Sequence, residues 1–296
     1  MHMEDWTIRW LRMQRIKPRT RESYESLLRL YILPTLGRIE LVELSADAIQ
    51  VAIAAPLAAG HGRTAEQVYT LLVQLCRAAV RAGHMERSPM DAILRPYHVP
   101  TPTAWWAPED AARFLRLRQL AMDPHIVVWV LALCCGLRRG ELCGLRWDDI
   151  DLQQCIITVA RQRITLADGR TIAAPPKSKS SARTLAISAD LAAWLAGQRP
   201  ATGGYVAISC KSGRPITPSG LDSAWRRAVH AAGIPPITLH GCRHTCGAAA
   251  VRAGVAMRVL QDIMGHSSDT VTSRIYAHVD STAQRQALDS ITSLMI

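Results

Sequence analysis

The amino-acid sequence predicts a mostly α-helical protein with a small antiparallel β-sheet, an α+β fold divided into two domains. Three observations support this prediction. Apolar residues recur at helical spacing over most of the 296 residues, a proline-rich stretch interrupts that periodicity near residue 100, and short β-type runs occur only between residues 155 and 188. A chain of this length also suits two domains better than one.

The first hundred residues contain helical runs that are separated by stop signals. One helix is expected to begin after Thr20 and to end at Pro34, because proline cannot continue a helix. A second is expected after Ser45, and a third after Thr64 with its end at Gly83. These runs predict a small helical domain.

The stretch "RPYHVPTPTAWWAP" marks the domain boundary. It holds four prolines after Arg95 and shows no helical period, which is typical of a linker or an extended segment. We therefore expect a helical domain over residues 1–98, a linker over 99–107 and a second domain over 108–296.

The second domain is expected to begin with two helices, "PEDAARFLRLRQLAM" and "PHIVVWVLALCCG". The runs "CIITVARQRIT", "RTIAAPP" and "RTLAIS" predict the strands of the sheet, with Lys177 and Lys179 at a hairpin tip between the last two. Helical periodicity then resumes at Pro218. Capping residues are expected at Ser219, Thr238 and either Ser267 or Ser268.

The composition favours a polyanionic partner. The net charge is +11 and comes mostly from arginine, since only four of the 35 basic residues are lysine. Arginine binds phosphates bidentately, so nucleic acid is the partner that this balance suggests. A well-solvated basic surface remains the alternative on charge alone.

The eight cysteines and the apolar runs argue against export and against a membrane role. The cysteines show no paired CxxC spacing and mostly lie in apolar runs, as expected for reduced core residues of a cytoplasmic protein. The longest apolar run, which begins at Ile126, is shorter than the ~20 residues that span a bilayer. The N-terminus has no hydrophobic signal segment.

Each polar residue that stands out has an ordinary structural explanation when it is taken alone. Arg138 and Glu141, at i and i+3, could form an exposed ion pair, and the hairpin lysines could simply be solvated. Tyr276, late in a short amphipathic helix, could pack against the core.

The segment "LHGCRHTCG" allows a metal site or an anion site. His240, Cys242, His244 and Cys246 are all possible zinc ligands, but residues two apart point to different sides of a helix. His240 and Arg243 share a face at i and i+3, and an imidazole beside a permanent cation suits an anion.

Taken together, these side chains could catalyse the transesterification of a phosphodiester. Two arginines can stabilise the extra charge of a phosphorane-like transition state, a tyrosine can act as nucleophile, and a lysine or histidine can protonate the leaving oxygen. None of these roles requires a metal or a cofactor.

In order and spacing, these residues resemble the tyrosine recombinase (phage integrase) family. The family's first arginine box is matched by Arg138 with Glu141 in "GLRRGELCGLRWDDID", and its lysine hairpin by Lys177 in "PKSKSSART", with Lys179 as the alternative. Its second arginine box is matched by His240 in "HGCRH".

The rest of the resemblance lies nearer the C-terminus. Arg243 follows His240, and the turn "GHS" with "YAH" ten residues on places His266 and Tyr276 where the family has its last histidine and its nucleophile. Gly241 and Cys242 depart from the family pattern, in which an acidic residue and a leucine are common. That departure affects local packing, and His244 is expected to support the helix.

The resemblance implies a site-specific recombinase that acts on double-stranded DNA as a tetramer. Tyr276 would form a 3′-phosphotyrosyl link, Arg138 and Arg243 would bind the phosphate, and His240, His266 and Lys177 would move protons, with Glu141 in support. The rival interpretations are a DNA-binding regulator with the same fold and a zinc protein.

Two further expectations concern the ends of the chain. The helical domain resembles the family's core-DNA-binding domain, and no extra N-terminal arm-binding domain is recognisable, as in simple Xer-type recombinases, compact mobile-element integrases or a truncated product. The tail "STAQRQALDSITSLMI" predicts an amphipathic helix that docks on its own domain or, as the resemblance suggests, on a neighbouring subunit.

Overall fold

A computed structural model describes residues 1–99, 102–176 and 182–265. The chain forms two compact units, Met1–Pro102 and Thr103–Ile296. The described residues are mostly helical, with short antiparallel strands in the second unit alone. This confirms the predicted fold class. No helix in the described ranges is long and apolar enough to cross a membrane.

The first unit is a cluster of helices around an apolar core. Trp6 and Ile32 are fully buried there, and the Trp6 indole N–H donates a 3.1 Å hydrogen bond to the Leu75 carbonyl. The predicted N-cap Ser45 is confirmed, because its hydroxyl accepts from the Ala48 amide. The helices of this unit are α1 Met3–Met13, α2 Pro18–Leu27, α3 Leu33–Leu36, α4 Ala46–Ala58 and α5 Gly62–Arg81.

The limits predicted for α2, a start after Thr20 and an end at Pro34, were wrong at both ends. The helix begins at Pro18, since the fixed φ of proline suits the first turn and its missing amide needs no partner there. Pro34 does not end it. A π-helical turn, Leu28–Ile32, leads directly into α3, where Pro34 again lies in a first turn. Similarly, α5 begins at Gly62 and not after Thr64.

The second unit packs its helices around an aromatic core. Phe114 and Trp129 both contact the Trp225 ring edge-on, at centroid distances of 4.9 and 5.1 Å. Helix α7 is buried on all sides, which explains its continuous apolar run. The helices are α6 Pro108–Leu120, α7 Ile126–Cys134, α8 Arg139–Gly144, α9 Ala189–Ala196, α10 Pro218–Ala232, α11 Leu239–Arg252 and α12 Met257–Met264.

The strands form two small sheets and not the one that the sequence predicts. Antiparallel strands β1 Ile150–Asp151, β2 Ile156–Val159 and β5 Arg183–Ala186 form one sheet, in the order β1-β2-β5. Strands β3 Gln162–Thr165 and β4 Thr171–Ala174 form a separate hairpin.

The hairpin predicted around Lys177 and Lys179 is therefore wrong in its strand pairing. The strands on either side of the lysines belong to different sheets, because β5 pairs with β2 and β4 pairs with β3. The run "CIITVARQRIT" is two strands, and the second of them starts an inserted hairpin. Period-two patterns locate strands but do not specify their partners.

The caps of the later helices were predicted in part. Thr238 caps α11, as expected, with its hydroxyl accepting from the Gly241 amide at 3.1 Å. Helix α10 is capped by Thr217 and not by Ser219, because Pro218 takes the first helical position. Ser267, Ser268 and the predicted tail helix lie outside the described residues.

Candidate active site

Arg138 lies at the start of α8, immediately after the buried helix α7. Gly136 makes the connecting turn at φ +59°, and a β-carbon there would lie 3.0 Å from the Met264 side chain, so only glycine fits. Arg138 is the N-cap of α8. Its backbone amide donates to Glu141 at 3.0 Å, and its guanidinium donates to the same carboxylate at 2.8 Å.

Glu141 is the buried acid of the site. It is 3% exposed and also accepts two hydrogen bonds of 3.2 Å from Arg183, which lies on β5 and is itself 7% exposed at its side chain. Burial acts to raise the pKa of Glu141, but the charges and hydrogen bonds of Arg183 and Arg138 outweigh burial and lower it. Glu141 is therefore a carboxylate held between two guanidinium groups.

The second predicted pair, His240 and Arg243, lies in the first turns of α11. Arg243 is 3% exposed and donates to the Gly136 carbonyl at 2.7 Å and to the Met264 carbonyl. Because Gly136 leads into Arg138, this bond ties the start of α11 to the turn that carries the other arginine. Helix α11 packs against α7, and this contact brings Arg243 close to Arg138 although the two are far apart in the sequence.

Three guanidinium groups converge on the last carbonyls of α12. Arg183 donates to Ile263 at 2.8 Å, Arg243 to Met264, and Arg138 to Gly265 at 2.8 Å. The last carbonyls of a helix have no partner within the helix and carry partial negative charge, so cations bind there favourably. The chain leaves this arginine cluster at position 265, one residue before His266.

The two histidines of α11 are packed against each other. The rings of His240 and His244 meet edge-on with their centroids 4.8 Å apart. Burial, followed by the charges of Arg243 and Arg138, lowers the pKa of His240. Burial, His240 and Arg243 lower the pKa of His244 to about 4. Both rings are therefore neutral at neutral pH, and an unprotonated His240 can accept a proton.

The structure brings together four of the predicted site residues: Arg138, Glu141, His240 and Arg243. Lys177, its alternative Lys179, His266 and Tyr276 lie outside the described residues, and their roles stay predictions. The residue that sequence reasoning missed is Arg183. The signal was an arginine on the apolar strand "RTLAIS", because a buried charge in a strand requires a partner.

The cysteines interleaved with the histidines face backbone carbonyls. The Cys242 thiol donates to the Thr238 carbonyl at 3.7 Å, and the Cys246 thiol donates to the Cys134 carbonyl at 3.4 Å. Burial raises the pKa of Cys246 to about 12, which disfavours the thiolate that binds a metal. Within the described ranges no three His, Cys, Asp or Glu side chains form a metal-binding group.

This arrangement can bind and stabilise an anion. Arg138, Arg243 and the neutral imidazole of His240 lie close together, and the buried carboxylate of Glu141 fixes Arg138. An oxyanion that gains charge during a reaction would be favoured by such preorganised donors.

Two family models match the chain. The model described as the phage integrase family matches residues 113–283, and the model described as the phage integrase N-terminal SAM-like domain matches residues 3–54. The first match contains Arg138, Arg183, Arg243 and the predicted nucleophile, Tyr276.

A curated relative and two solved structures extend this comparison. A tyrosine recombinase XerC-like protein of Caldanaerobacter subterraneus subsp. tengcongensis is 30% identical over 193 residues, 57% of this chain and 49% of its own length. The chain thus matches about half of that relative. The fold resembles the Tn1549 transposon integrase in complex with transposon right end DNA, with a TM-score of 0.82 at 21% identity, covering 99% of this chain and 100% of that one. It also resembles the lambda integrase tetramer bound to a Holliday junction, with a TM-score of 0.69 at 19% identity, covering 93% and 77%.

Proposed function

The chain belongs to the phage integrase family, and from this premise we propose that it is a site-specific tyrosine recombinase that cleaves and rejoins double-stranded DNA. The observation that carries the proposal is that Arg138 and Arg243 meet at the end of α12 with His240 beside them, while the buried Glu141 holds Arg138. These are the described residues that the family resemblance assigns to the scissile phosphate.

The cleavage step is a transesterification at phosphorus. The neutral His240 accepts the phenol proton as the Tyr276 oxygen attacks the phosphorus atom. The bond to the 5′ oxygen breaks, and the 3′ end of the strand stays attached to the protein as a phosphotyrosyl ester. Arg138 and Arg243 bind the two non-bridging oxygens, on which negative charge increases in the transition state. Lys177 gives its proton to the departing 5′ oxygen.

Rejoining reverses these events with a different strand. The 5′-hydroxyl of the partner strand gives its proton to Lys177 and attacks the phosphotyrosine, and Tyr276 leaves as the phenol with the proton that His240 returns. The ester stores the energy of the broken bond, so the exchange requires no nucleotide hydrolysis. His240, which is neutral because its pKa is lowered, and His266 hydrogen-bond to the phosphate and assist proton transfer.

Glu141 and Arg183 position the residues that bind the phosphate. Glu141 neutralises and aligns Arg138, while Arg183 holds Glu141 and the end of α12 together. Gly265 follows α12 and His266 is the next residue, so the arginine cluster fixes the point from which the chain continues to His266 and Tyr276.

The protein is expected to work as a tetramer on two paired DNA sites, in the cytoplasm. The lambda integrase, whose fold this chain resembles, has been solved as a tetramer bound to a Holliday junction.

The tail after Val279 is the segment we expect to dock on a neighbouring subunit. Removing it should leave single-site binding intact and reduce assembly on paired sites, as measured by gel mobility. Normal assembly and recombination by the truncated protein would contradict this role.

A nicked suicide substrate tests the proposed chemistry. The short strand that is released by cleavage diffuses away, so the covalent adduct accumulates and appears on a denaturing gel. We expect an adduct with the wild-type protein and none with Tyr276→Phe, which removes only the nucleophilic oxygen. Tyr97→Phe, at an exposed tyrosine of the first unit, is the matched control.

The same experiment separates the recombinase from a DNA-binding regulator with the same fold. A regulator would bind the site and give no adduct with the wild-type protein. An adduct that persists in Tyr276→Phe would mean that another residue is the nucleophile.

A further inference from the structure

The second unit contains a basic cleft outside the arginine cluster. Its volume is about 620 Å³, and its walls are the β3–β4 hairpin, the segment 208–217 and the first turns of α10. Four cationic side chains line it: Arg163, Lys211, Arg214 and Arg227. The other polar lining includes His125 and five serine and threonine side chains, and no aspartate or glutamate lines the cleft.

Three of these cations have no acidic partner in the described part of the chain. Lys211, Arg214 and Arg227 are exposed and take part in none of the ion pairs there. Many other arginines of this unit are paired, as Arg161 is with Asp149. Asp123, a buried acid that contacts the lining residue His125, is paired with Arg118 at 2.8 Å. The cleft therefore keeps its positive charge.

The cleft is built by the fold and does not depend on a ligand to form. Arg163 donates to the Ile216 carbonyl at 2.7 Å and lies over the Tyr205 ring. The bridge between Ile208 and Pro215 closes the loop that carries Lys211 and Arg214. On the third wall Thr217 caps α10, a helix of 15 residues whose positive end adds to the potential in the cleft.

Helix α8 connects the basic cleft to the arginine cluster. Its N-cap is Arg138, and the next residue, Arg139, ion-pairs with Asp222 on α10. Glycines on α8 let β3 approach closely: a β-carbon at Gly144 would lie 2.9 Å from the Arg161 carbonyl, and one at Gly140 3.2 Å from the Arg163 carbonyl. A rigid contact therefore fixes the cleft relative to the site where the scissile phosphate is proposed to bind.

We propose that the basic cleft binds backbone phosphates of the same DNA duplex, away from the scissile phosphate, and so fixes the register of the DNA on the second unit. The inference rests on the proposed function for its choice of polyanion. Unpaired arginine and lysine side chains with hydroxyl groups are the donors that bind phosphate oxygens. No Phe, Tyr or Trp lines the cleft in the described residues, so it offers no surface on which the base of a free nucleotide could stack.

Salt-dependent DNA binding measures these contacts. The slope of log K against log salt concentration is negative, and its magnitude falls by about 0.9 for each phosphate contact that is lost. We expect Arg214→Gln and Arg227→Gln each to reduce the magnitude of the slope by about this amount, and the double variant to reduce it by about twice as much. Arg252→Gln is the control, since Arg252 is an exposed arginine of the same unit that is paired with Glu109. Its slope should match that of the wild type.

A neutral phosphate in the DNA locates the contact. Single methylphosphonate substitutions are placed one at a time along the binding site, and affinity is measured for the wild type and for Arg227→Gln. One position away from the cleavage point should weaken the wild type about tenfold and leave the variant nearly unaffected. Equal sensitivity of the two proteins at every position would overturn the proposal.

The adduct assay keeps this inference separate from the proposed function. At saturating protein, Arg214→Gln and Arg227→Gln should trap a nicked substrate as the wild type does, because neither residue belongs to the catalytic site. If slopes are unchanged while the wild type forms its adduct, the cleft proposal fails and the recombinase stands. If the wild type forms no adduct, the recombinase fails, and a slope lowered only in the cleft variants still supports phosphate binding there.

Discussion

Glu141 accepts a 3.2 Å hydrogen bond from Arg183 on each of its two carboxylate oxygens, although the residues are 42 positions apart in the chain. The same carboxylate accepts from Arg138. One buried acid thus joins the start of α8 to strand β5. A charge at this depth is stable only with such partners, so the three residues depend on one another.

Glu141→Gln should destabilise the second unit strongly. The amide keeps the size of the side chain but leaves Arg138 and the buried Arg183 without a counterion, and breaking a buried pair typically costs about 3–5 kcal/mol. The measurement is the free energy of unfolding from urea denaturation. Asp222→Asn is the control, because it breaks an ion pair with Arg139 that is half exposed and should cost no more than about 1 kcal/mol. If Glu141→Gln and Asp222→Asn lose the same free energy of unfolding, Glu141 is not the acid on which Arg138 and Arg183 depend.

Arg183→Lys should impair cleavage more than DNA binding. An ammonium group cannot contact both oxygens of Glu141 and the Ile263 carbonyl together, so the end of α12 would lose its fixed position. We expect at least a tenfold lower rate of adduct formation with DNA affinity within about threefold of the wild type. Because Arg183 is a positioning residue, Arg138 should still bind the phosphate. A loss of affinity that matches the loss of rate would assign Arg183 to DNA binding instead.

Arg243→Lys should abolish most of the cleavage activity although it conserves charge. Losing one preorganised donor to a transition-state oxyanion costs on the order of 10²-fold or more in rate. The variant also loses a bond to Gly136 or to Met264, so its melting temperature must be compared with that of the wild type. Arg252→Lys, later on α11 and exposed, should behave as the wild type. Near-normal rates in Arg243→Lys would remove Arg243 from the site.

The sequence predicted the arginine and histidine pairs because their spacing is local. Arg138 with Glu141 and His240 with Arg243 each lie within one helical turn, so helical geometry alone places the members of a pair side by side. The contact of Arg183 with Glu141 depends on how β5 packs against α8, and no local pattern specifies such a contact. Likewise, the convergence of three arginines on α12 requires the tertiary fold.

The errors in the fold have the same origin. Pro34 reads as a stop signal, yet it lies in a first turn because the π-helical turn before it resets the register. The sequence around Lys177 and Lys179 predicts a hairpin tip. However, the strand that follows these lysines, β5, pairs with β2, and the hairpin β3–β4 is inserted between β2 and β5 in the chain. Helix type and cap chemistry are local and were largely predictable, whereas strand pairing is not local.

Acid should destabilise the protein between about pH 6.5 and pH 4 through His244, with a further contribution from His240, whose pKa is also lowered. The pKa of His244 is about 4 in the folded chain, below its ordinary value of 6.5, because burial, His240 and Arg243 disfavour the charged ring. Between these values the unfolded chain binds more protons, so the free energy of unfolding falls as the pH falls, and the fall levels off below about pH 4. The lowered pKa of Glu141 affects stability only at lower pH, below the usual carboxyl value.

We expect His244→Gln to lose much less stability than the wild type between about pH 7 and pH 5, as measured by urea denaturation. His230→Gln, at an exposed position on α10, should keep the wild-type dependence. If His244→Gln keeps it too, the titrating group lies elsewhere.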